Sequence, residues 1–458
     1  MNIVIYNTNT TSFDSDFFCI SSYPSLTSQW EKIASQHPQH RFIFVSALPG
    51  MFLLDYSHNQ LKEQAENITY YILHSRENFQ EITQIILSYQ PDLVLSASYW
   101  IQPFDWLPLQ DALVAELLKK KGIQTLCHDS KTVLTCFNKS KTHNFLISQG
   151  LPAPKQVYIH HELYVSHKNR REILHNPYRE FIFSQLETLQ YPVVVKDTVG
   201  FSSYGTEVLQ NAHQVKTYLD SKRNNFDRVV EEYIPGIQIG VEIHGEPGNY
   251  VVFPPFLFSV NKYGITSPKL GCKFGPLTEK DVNLTDLYEL IIKVSKTLQF
   301  KGSAQIDLIY SQSQWYILEI NPRLSGMTST CAAALSLSVA EYIFDQITNI
   351  KAKHIVDYQS VLNIKIPLQE EKNLEKLRKL PEIYAIEQVE NKKAKQQRER
   401  GYCQVIFCLE KENSSNTTSK EKLILLQEKL SVLHPYMSAE DFIQLENTIS
   451  EMSSFLTI

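Results

Sequence analysis

The sequence predicts a mixed α/β and α+β protein built from three consecutive domains. Strand and helix patterns alternate in the first part of the chain, which indicates a parallel sheet covered by helices. Two short strands joined by a polar turn dominate the segment 302–328. After Lys351 strands and helices mix without regular alternation, which indicates a small α+β domain. We therefore expect domains at 1–127, 128–350 and 351–458.

In the first domain, apolar strand patterns are separated by amphipathic stretches. The predicted strands are Ile3–Tyr6, Arg41–Val45, Ile68–Leu73, Leu93–Ser96 and Gln124–Cys127, and the predicted helices are Ser25–Gln36, Asn78–Gln90 and Gln110–Lys121. No Gly-x-Gly-x-x-Gly sequence follows the first strand, so nothing indicates a dinucleotide site there. The residues leave open whether this domain holds a substrate at its sheet edge or serves as a scaffold.

The composition is that of an ordinary soluble globular protein. Of 458 residues, 43% are hydrophobic and 20% are charged, and the small net charge of −5 speaks against a nucleic-acid partner. The seven cysteines form no Cys-x-x-Cys pair, so we expect a reduced, cytoplasmic protein. The N-terminus lacks the pattern of a signal peptide, and no apolar run approaches about 18 residues, so we expect no membrane partner.

The side chains that suggest chemistry cluster in a predicted hairpin of strands Ala304–Ile309 and Gln314–Ile320. Asp307 lies on the first strand and Glu319 on the second, so strand pairing can bring the two carboxylates to one end. Asn321 follows and adds an amide oxygen. Since oxygen ligands of this kind suit Mg²⁺, we predict these three residues as metal ligands; a solvated hairpin is the alternative.

Three basic residues near predicted loops suggest phosphate binding. Arg323 follows the hairpin, and its planar donors suit phosphate oxygens. Lys139 lies in the first turn of the predicted helix Phe137–Gln149, where a solvated lysine is the ordinary alternative. Lys196 ends a predicted buried strand, and the glycines and serines of the loop 197–206 can turn backbone N–H groups toward an anion.

The order of these features resembles the ATP-grasp superfamily. The Ile-Asp at 306–307, the Leu-Glu-Ile-Asn-Pro-Arg at 318–323 and the Gly-Met-Thr at 326–328 are similar to the metal-binding end of an ATP-grasp domain. The Asn-Lys at 138–139, followed by a helix and Gly-Leu-Pro, is similar to the helix that opens this domain in D-alanine–D-alanine ligases. The resemblance implies the ATP-grasp fold with ATP and Mg²⁺ as cofactors, two metal ions being expected and Mn²⁺ being an alternative.

The same resemblance implies roles in binding the nucleotide phosphates. Lys139 would contact a phosphate, and Lys196 would reach the α- or β-phosphate. The glycine-rich loop would supply Ser202, Ser203 and Gly205. Residues at about 191–234 would form a lid that closes over the reaction and excludes water.

The predicted strand Arg228–Ile234 resembles the hinge that holds the adenine base. By resemblance, the hinge residues are Glu231, Tyr233 and Ile234. Where related ligases keep a ribose-binding glutamate, this chain has Gln238, whose amide can still bond a hydroxyl. Glu242 is the alternative ribose ligand, and the sequence does not choose between them.

Arg323 and Lys273 are the candidate catalytic residues. Arg323 would stabilise developing negative charge. The segment 251–278 looks irregular and is predicted to be a binding loop. Within it, Lys273 or Lys269 would contact the γ-phosphate or a substrate carboxylate, with plain solvent exposure as the open alternative.

One position separates this chain from D-alanine–D-alanine ligases. Gln305 occupies the place where those enzymes have an arginine. The Asn-Pro-Arg sequence is instead similar to the carbamoyl-phosphate-synthetase, biotin-carboxylase and L-amino-acid-ligase branches. The domain at 351–458 resembles the C-terminal domain of the last two by arrangement only.

The resemblance implies an ATP-dependent carboxylate–amine ligase. Its partners would be ATP, a small-molecule carboxylate such as an amino acid or small organic acid, and an amine, and a homodimer is left open. The reaction would pass through an acylphosphate and release ADP and phosphate. The alternatives are carboxyphosphate or carbamoyl-type chemistry of purine-like metabolism, and a catalytically silent nucleotide-binding protein.

Overall fold

The computed structural model describes residues 1–8, 18–47, 65–73, 77–97, 108–166, 175–199, 206–260, 271–348, 358–391, 400–409 and 417–456. In these ranges the chain forms sheets of five, four and ten strands. The strands are β1 (Asn2–Asn7), β2 (Phe18–Tyr23), β3 (Arg41–Ala47), β4 (Ile68–Leu73), β5 (Leu93–Ser96), β6 (Gln124–Leu126), β7 (Gln156–Ile159), β8 (Val193–Asp197), β9 (Glu207–Leu209), β10 (Arg228–Glu232), β11 (Ile237–Glu246), β12 (Asn249–Val252), β13 (Phe256–Phe258), β14 (Cys272–Gly275), β15 (Gly302–Ser311), β16 (Gln314–Asn321), β17 (Ser360–Ile366), β18 (Ile383–Asn391) and β19 (Gly401–Leu409).

Helices pack on the faces of these sheets. They are α1 (Leu26–Gln36), α2 (Phe79–Ser88), α3 (Pro108–Lys120), α4 (Ser130–Phe137), α5 (Lys139–Ser148), α6 (His161–Val165), α7 (Pro177–Leu186), α8 (Ala212–Leu219), α9 (Leu284–Leu298), α10 (Thr328–Ala334), α11 (Val339–Thr348), α12 (Glu371–Leu377), α13 (Ser419–Glu428) and α14 (Ala439–Ser454), with a 3₁₀ helix at Lys429–Tyr436. Within the described ranges, no helix combines the length and apolar character that a membrane crossing requires.

The first sheet is parallel, in the order β4-β3-β1-β5-β6, which confirms the predicted α/β arrangement. Alternate residues of β1 are buried on opposite faces, because helices cover both sides. On one face Ile3 and Ile5 join a cluster with Trp30 of α1, whose ring lies 5.0 Å from that of Phe44. On the other face Val4 belongs to the cluster formed with α2 and α3.

The second sheet is antiparallel, in the order β7-β10-β8-β9, and has its own apolar core. Its strands β8, β9 and β10 come from the segment at about 191–234 that was predicted as a lid. The structural unit around this sheet is larger than the predicted lid. It also contains β7 and the helices α6 and α7, which pack on the sheet. The lid role of this sheet stays a prediction.

The third sheet is antiparallel and holds nine strands in the order β16-β15-β11-β13-β14-β17-β19-β18-β2, with β12 paired to β11. Its strands β17, β18 and β19 come from beyond residue 350, and β14 pairs directly with β17. The predicted boundary near 350 therefore falls inside one continuous sheet. The edge strand β2 is supplied by the N-terminal part of the chain.

Several local predictions were wrong. The segment 251–278 looked irregular, yet it contains β13 and β14, whose register with β11 and β17 is regular. The segment 329–343, whose small residues predict one packed helix, instead forms α10 and α11, because the chain turns at Ser336 with φ +60°. By contrast, the predicted helix Phe137–Gln149 is confirmed as the single helix α5, although it begins at Lys139 because Asn138 leaves helical geometry and caps it.

His128 connects the parallel sheet to the third sheet. Its Nε2 lies 2.7 Å from the carbonyl oxygen of Ser303, and its Nδ1 accepts the backbone N–H of Lys301 at 3.3 Å. A neutral imidazole with its proton on Nε2 satisfies both bonds. Burial lowers the pKa of His128 from 6.5 to about 4, although the Ser303 bond opposes this shift.

We predict a stability loss in mild acid that depends on His128. The pKa of the His128 imidazole is lower in the folded state than in the unfolded chain. The stability that the neutral His128 contributes to the folded state is therefore complete above pH 6.5 and is lost as the pH falls toward about 4. Its size is about 3 kcal/mol. Urea unfolding between pH 7 and pH 4 should show a smaller decline for His128→Gln than for the wild-type chain. The exposed His213 provides the control His213→Gln, and parallel pH profiles for wild type and His128→Gln would contradict the account.

Candidate functional site

The two predicted metal carboxylates are direct neighbours in the structure. Asp307 of β15 and Glu319 of β16 are register partners, and the pairing is irregular directly after Asp307. Since opposed residues of an antiparallel pair project from the same face, the two side chains share one face of the third sheet. The predicted hairpin is thus confirmed in both strands and in register.

This pairing is electrostatically costly without a cation. Burial and the negative charge of Glu319 raise the pKa of Asp307 to about 7, whereas a hydrogen bond from Gln305 and the charges of Lys273 and Arg323 oppose the rise. The Gln305 amide donates to Asp307 Oδ1 at 2.6 Å. A buried carboxylate whose ionisation is hindered by a neighbouring negative charge favours a bound cation.

Lys139 provides one positive charge next to this pair. Its Nζ lies 3.3 Å from Glu319 Oε1, with 17% and 29% of the two side chains exposed. Lys139 is the first residue of α5, and its backbone N–H donates to the Thr198 carbonyl at 2.8 Å. The start of α5 is therefore fixed both to the third sheet and to the chain that follows β8.

Asn321 and Arg323 lie together at the end of β16. Arg323 Nη2 donates to Asn321 Oδ1 at 3.0 Å, so the amide oxygen already accepts one hydrogen bond. A carbonyl oxygen has a second lone pair that can still serve a metal. The structure thus places the guanidinium beside the predicted ligand set.

The donor set fits Mg²⁺ held jointly with a ligand. Within the described residues, no group of three His, Cys, Asp or Glu side chains is positioned to hold a metal. Asp307, Glu319 and Asn321 offer oxygen atoms only, which is the chemistry that Mg²⁺ prefers, and phosphate oxygens and water would complete its shell. The raised pKa of Asp307, caused by burial and by Glu319, is consistent with a cation at this position.

Lys196 and Glu231 face each other on the second sheet. Lys196 Nζ and Glu231 Oε1 form a close ion pair between β8 and β10, and only 17% and 10% of the two side chains are exposed. Both residues were predicted to bind nucleotide. The structure brings them to each other, and their contact with nucleotide stays a prediction.

The hinge leaves one backbone donor available. The predicted strand Arg228–Ile234 ends earlier, at Glu232, and the Tyr233 N–H donates to the Pro192 carbonyl at 3.0 Å. Within the described part of the chain, the Ile234 N–H has no hydrogen-bond partner. Four residues on, the buried Gln238 Oε1 also has none among the described residues. An unpaired backbone donor and an unpaired buried acceptor each have room for a hydrogen bond to a polar ligand.

Glu242, the alternative ribose ligand, is buried and bonded within the protein, so Gln238 is the ribose ligand that we favour. The side chain is 1% exposed and accepts hydrogen bonds from Ser325 at 2.7 Å, Thr328 at 2.8 Å and Tyr342 at 2.8 Å. Burial opposes ionisation, but bonds from His244, Ser325 and Thr328 lower the pKa of Glu242 overall. Its carboxylate instead holds the segment that follows Arg323.

Sequence reasoning missed this buried network, because the polar residues of β11 alternate as they would on a solvent-facing side of a strand. Gln238, Glu242 and His244 alternate with apolar residues on one side of a strand. Such alternation usually indicates a solvent-facing side. Here a buried polar network faces α10 and α11, and only the pairing with β13 and β15 reveals this.

Lys273 lies on β14 and not in an irregular loop. Its Nζ donates to the Gly326 carbonyl, and the alternation of the paired strands places it on the same face as Asp307. Burial lowers the pKa of Lys273 to about 8, while nearby acidic groups, including Glu242 and Asp307, oppose the shift. The remaining predicted site residues, Ser202, Ser203 and Gly205, lie outside the described residues, as does Lys269.

Comparison with known proteins agrees with this geometry. Residues 136–327 match the family described as ATP-grasp domain. Over 181 residues the chain is 28% identical to the D-alanine–D-alanine ligase of Petrotoga mobilis, which covers 37% of this chain and 59% of that protein. The chain spans between 16% and 59% of the length of the curated relatives that it matches.

Two solved structures share the fold along nearly the whole chain. The ADP complex of an N5-carboxyaminoimidazole ribonucleotide synthetase superposes with a TM-score of 0.60 at 14% identity, covering 93% of this chain and 96% of that one. The L-amino acid ligase of Bacillus licheniformis superposes with a TM-score of 0.59 at 15% identity, covering 99% and 97%. The chain therefore has the ATP-grasp fold and contains an ATP-grasp domain at residues 136–327.

Proposed function

We propose that this protein is an ATP-dependent ligase that joins a carboxylate to an amine and releases ADP and phosphate. The observation that carries the proposal is the register pairing of Asp307 with Glu319, with Lys139 only 3.3 Å from Glu319. This arrangement combines a place for a divalent cation with a lysine for phosphate oxygens. Phosphoryl transfer needs such charge neutralisation and alignment more than it needs a covalent catalyst.

The nucleotide would lie between the second and third sheets. Lys139 and Lys196 would bind phosphate oxygens, and Lys196 would exchange part of its pairing with Glu231 for that contact. The Ile234 N–H would donate to the adenine edge, and the Gln238 oxygen would accept a hydrogen bond from a ribose hydroxyl.

Asp307, Glu319 and Asn321 would hold Mg²⁺ together with the phosphates. When bound, the ion neutralises phosphate charge during transfer. Gln305 orients the Asp307 carboxylate through its 2.6 Å hydrogen bond, and the Glu242 network fixes the chain beyond Arg323.

The reaction would proceed in two steps. An oxygen of the substrate carboxylate attacks the γ-phosphorus, the bond from that phosphorus to the β–γ bridging oxygen breaks, and ADP leaves. The amine nitrogen then attacks the acyl carbon, the bond from that carbon to the phosphate oxygen breaks, and the nitrogen loses a proton as phosphate departs. Arg323 would stabilise the negative charge that develops in both steps.

The names of the relatives bear on the substrates. A D-alanine–D-alanine ligase and an L-amino acid ligase are among them, so we favour an amino acid or small organic acid as the carboxylate. A carbamoyl-phosphate synthase is also among them, so bicarbonate is the alternative substrate that an experiment has to exclude. ADP release that needs bicarbonate and no organic acid would replace the proposal with carboxyphosphate chemistry.

We predict that Glu319→Ala and Glu319→Gln lose ATP turnover. Removing the charge takes away both the partner of Lys139 and half of the acidic pair, so ADP release should fall at least about 100-fold. ADP release is measured over pairs of amino acids and small acids, with products identified by mass.

The exposed Glu289 of α9 gives the matched control Glu289→Gln, which should retain wild-type turnover. Circular dichroism and thermal unfolding establish that each variant is folded. A folded Glu319 variant with wild-type ADP release would show that this carboxylate has no part in the chemistry.

We also predict that Gln238 recognises the ribose. Wild-type protein should bind ATP about 5- to 10-fold more tightly than a deoxy-ATP that lacks the contacted hydroxyl, which is the effect of one hydrogen bond. Gln238→Ala should remove this preference in calorimetric titrations with 2′- and 3′-deoxy-ATP. The exposed Gln190 supplies the control Gln190→Ala. If Gln238→Ala keeps the preference of the wild type, another group recognises the ribose.

A further inference from the structure

A second polar cluster lies on the same sheet face as the acidic pair, several strands away. Lys365 of β17 is opposed by Gln404 of β19, which is in turn opposed by Glu387 of β18. Lys273 of β14 is opposed by Asn363, two residues before Lys365. Because opposed and alternate residues share a face, the two lysines are diagonal neighbours on the face that carries Asp307.

Helix α10 packs over part of this face and borders the cluster. Ser329 donates to Glu387 at 3.1 Å, and Asn363 donates to Thr330 at 2.6 Å. The Lys273 ammonium donates to the Gly326 carbonyl just before α10. The cluster is therefore built on rigid elements and connects directly to the segment that follows Arg323.

The two lysines have no paired acid in the described structure. No carboxylate of the described residues forms a salt bridge with either ammonium. Lys365 Nζ instead lies 4.1 Å from the centre of the Tyr402 ring. Burial, and then the charge of Lys273, lower the pKa of Lys365 to about 7, while Glu387 opposes the shift. Two neighbouring ammonium groups in such a place are stabilised by an anion between them.

The charges favour a singly charged anion. Glu387 interacts electrostatically with both lysines, and Glu242 and Asp307 also act on Lys273, so the cluster carries at most about one net positive charge when both amines are protonated. A carboxylate balances that charge, whereas a dianionic phosphate would exceed it. Lys273 also interacts electrostatically with Asp307, whereas Lys365 does not, so Lys273 is the lysine on the side of the acidic pair.

We propose that Lys365 and Lys273 bind a carboxylate carried by the acceptor amine, so that the ligase selects acceptors that are themselves acids. The inference rests on the proposed ligase function and adds Lys365 as a specificity-determining residue. With its carboxylate held between the lysines, such an acceptor directs its amine toward the acylphosphate beside Asp307 and Glu319. An acceptor without the carboxylate would lack this anchor.

The first experiment measures binding without turnover. Thermal unfolding is followed in the presence of Mg²⁺, a non-hydrolysable ATP analogue and each proteinogenic amino acid or its amide. At least one amino acid should raise the unfolding temperature more than its amide does. In Lys365→Met the amino acid should lose roughly 10- to 100-fold in affinity, as for a lost charge-assisted hydrogen bond, and should no longer differ from the amide. Lys365→Arg should retain the difference.

The exposed Lys372 of α12 gives the matched control Lys372→Met, which should behave as wild type. If no amino acid binds better than its amide, or if Lys365→Met keeps that preference, the inference is wrong. Stabilisation by inorganic phosphate that depends on Lys365, without any by amino acids, would also overturn it, because the site would then hold a phosphate group.

The second experiment compares ADP release with the acids and amides as acceptors. Lys365→Met should lower kcat/KM for the acid roughly 10- to 100-fold and leave kcat/KM for the amide unchanged. Equal losses for the acid and the amide would assign Lys365 a merely structural role. If amino acids bind through Lys365 and yet no acceptor supports ADP release, the ligase proposal fails while the carboxylate site stands.

Discussion

The pairing of two carboxylates across one hairpin is the constraint on which the rest of the site depends. Asp307 and Glu319 are opposed in register, so backbone hydrogen bonding forces their like charges together. The chain offsets this repulsion in three ways: a lysine at 3.3 Å from Glu319, an amide hydrogen bond at 2.6 Å to Asp307, and a guanidinium beside Asn321. Even so, the pKa of Asp307 stays raised to about 7. We infer that such a pair is tolerated because a cation and phosphates would share it.

The surrounding structure keeps this pair and its neighbours in place. Glu242 binds Ser325, Thr328 and Tyr342 inside the protein and so anchors the chain that follows Arg323. The backbone N–H of Lys139 donates a hydrogen bond to the carbonyl of Thr198, the residue that directly follows β8 of the second sheet. His128 joins the parallel sheet to β15 near the same end of the molecule. Each of the three sheets thus contributes to the position of a few polar atoms.

The sequence predicts the site better than it predicts the surroundings. Alternation along the hairpin and the position of Asp307 and Glu319 within it predict their neighbourhood correctly, because hairpin pairing is local. The sequence left the role of Glu242 open because its partners Ser325, Thr328 and Tyr342 lie at least 83 residues away in the sequence, where no local pattern reveals them. Lys365 was overlooked for the same reason, since only the pairing of β14 with β17 places it next to Lys273. The break between α10 and α11 coincides with a positive φ at Ser336, and a single serine is only a weak turn signal.

The most direct measurement of the central claim is the Mg²⁺ dependence of nucleotide binding in wild type and Asp307→Asn. Calorimetric titration with a non-hydrolysable ATP analogue, with and without Mg²⁺, should show binding that Mg²⁺ strengthens at least about 10-fold in the wild type, as expected for an ion shared with phosphates. Asp307→Asn should keep the metal-free affinity and lose that gain, and without metal it should unfold no more easily than the wild type, because the substitution also removes the like-charge repulsion. An equal gain from Mg²⁺ in both proteins would contradict the assignment of this pair as the metal site.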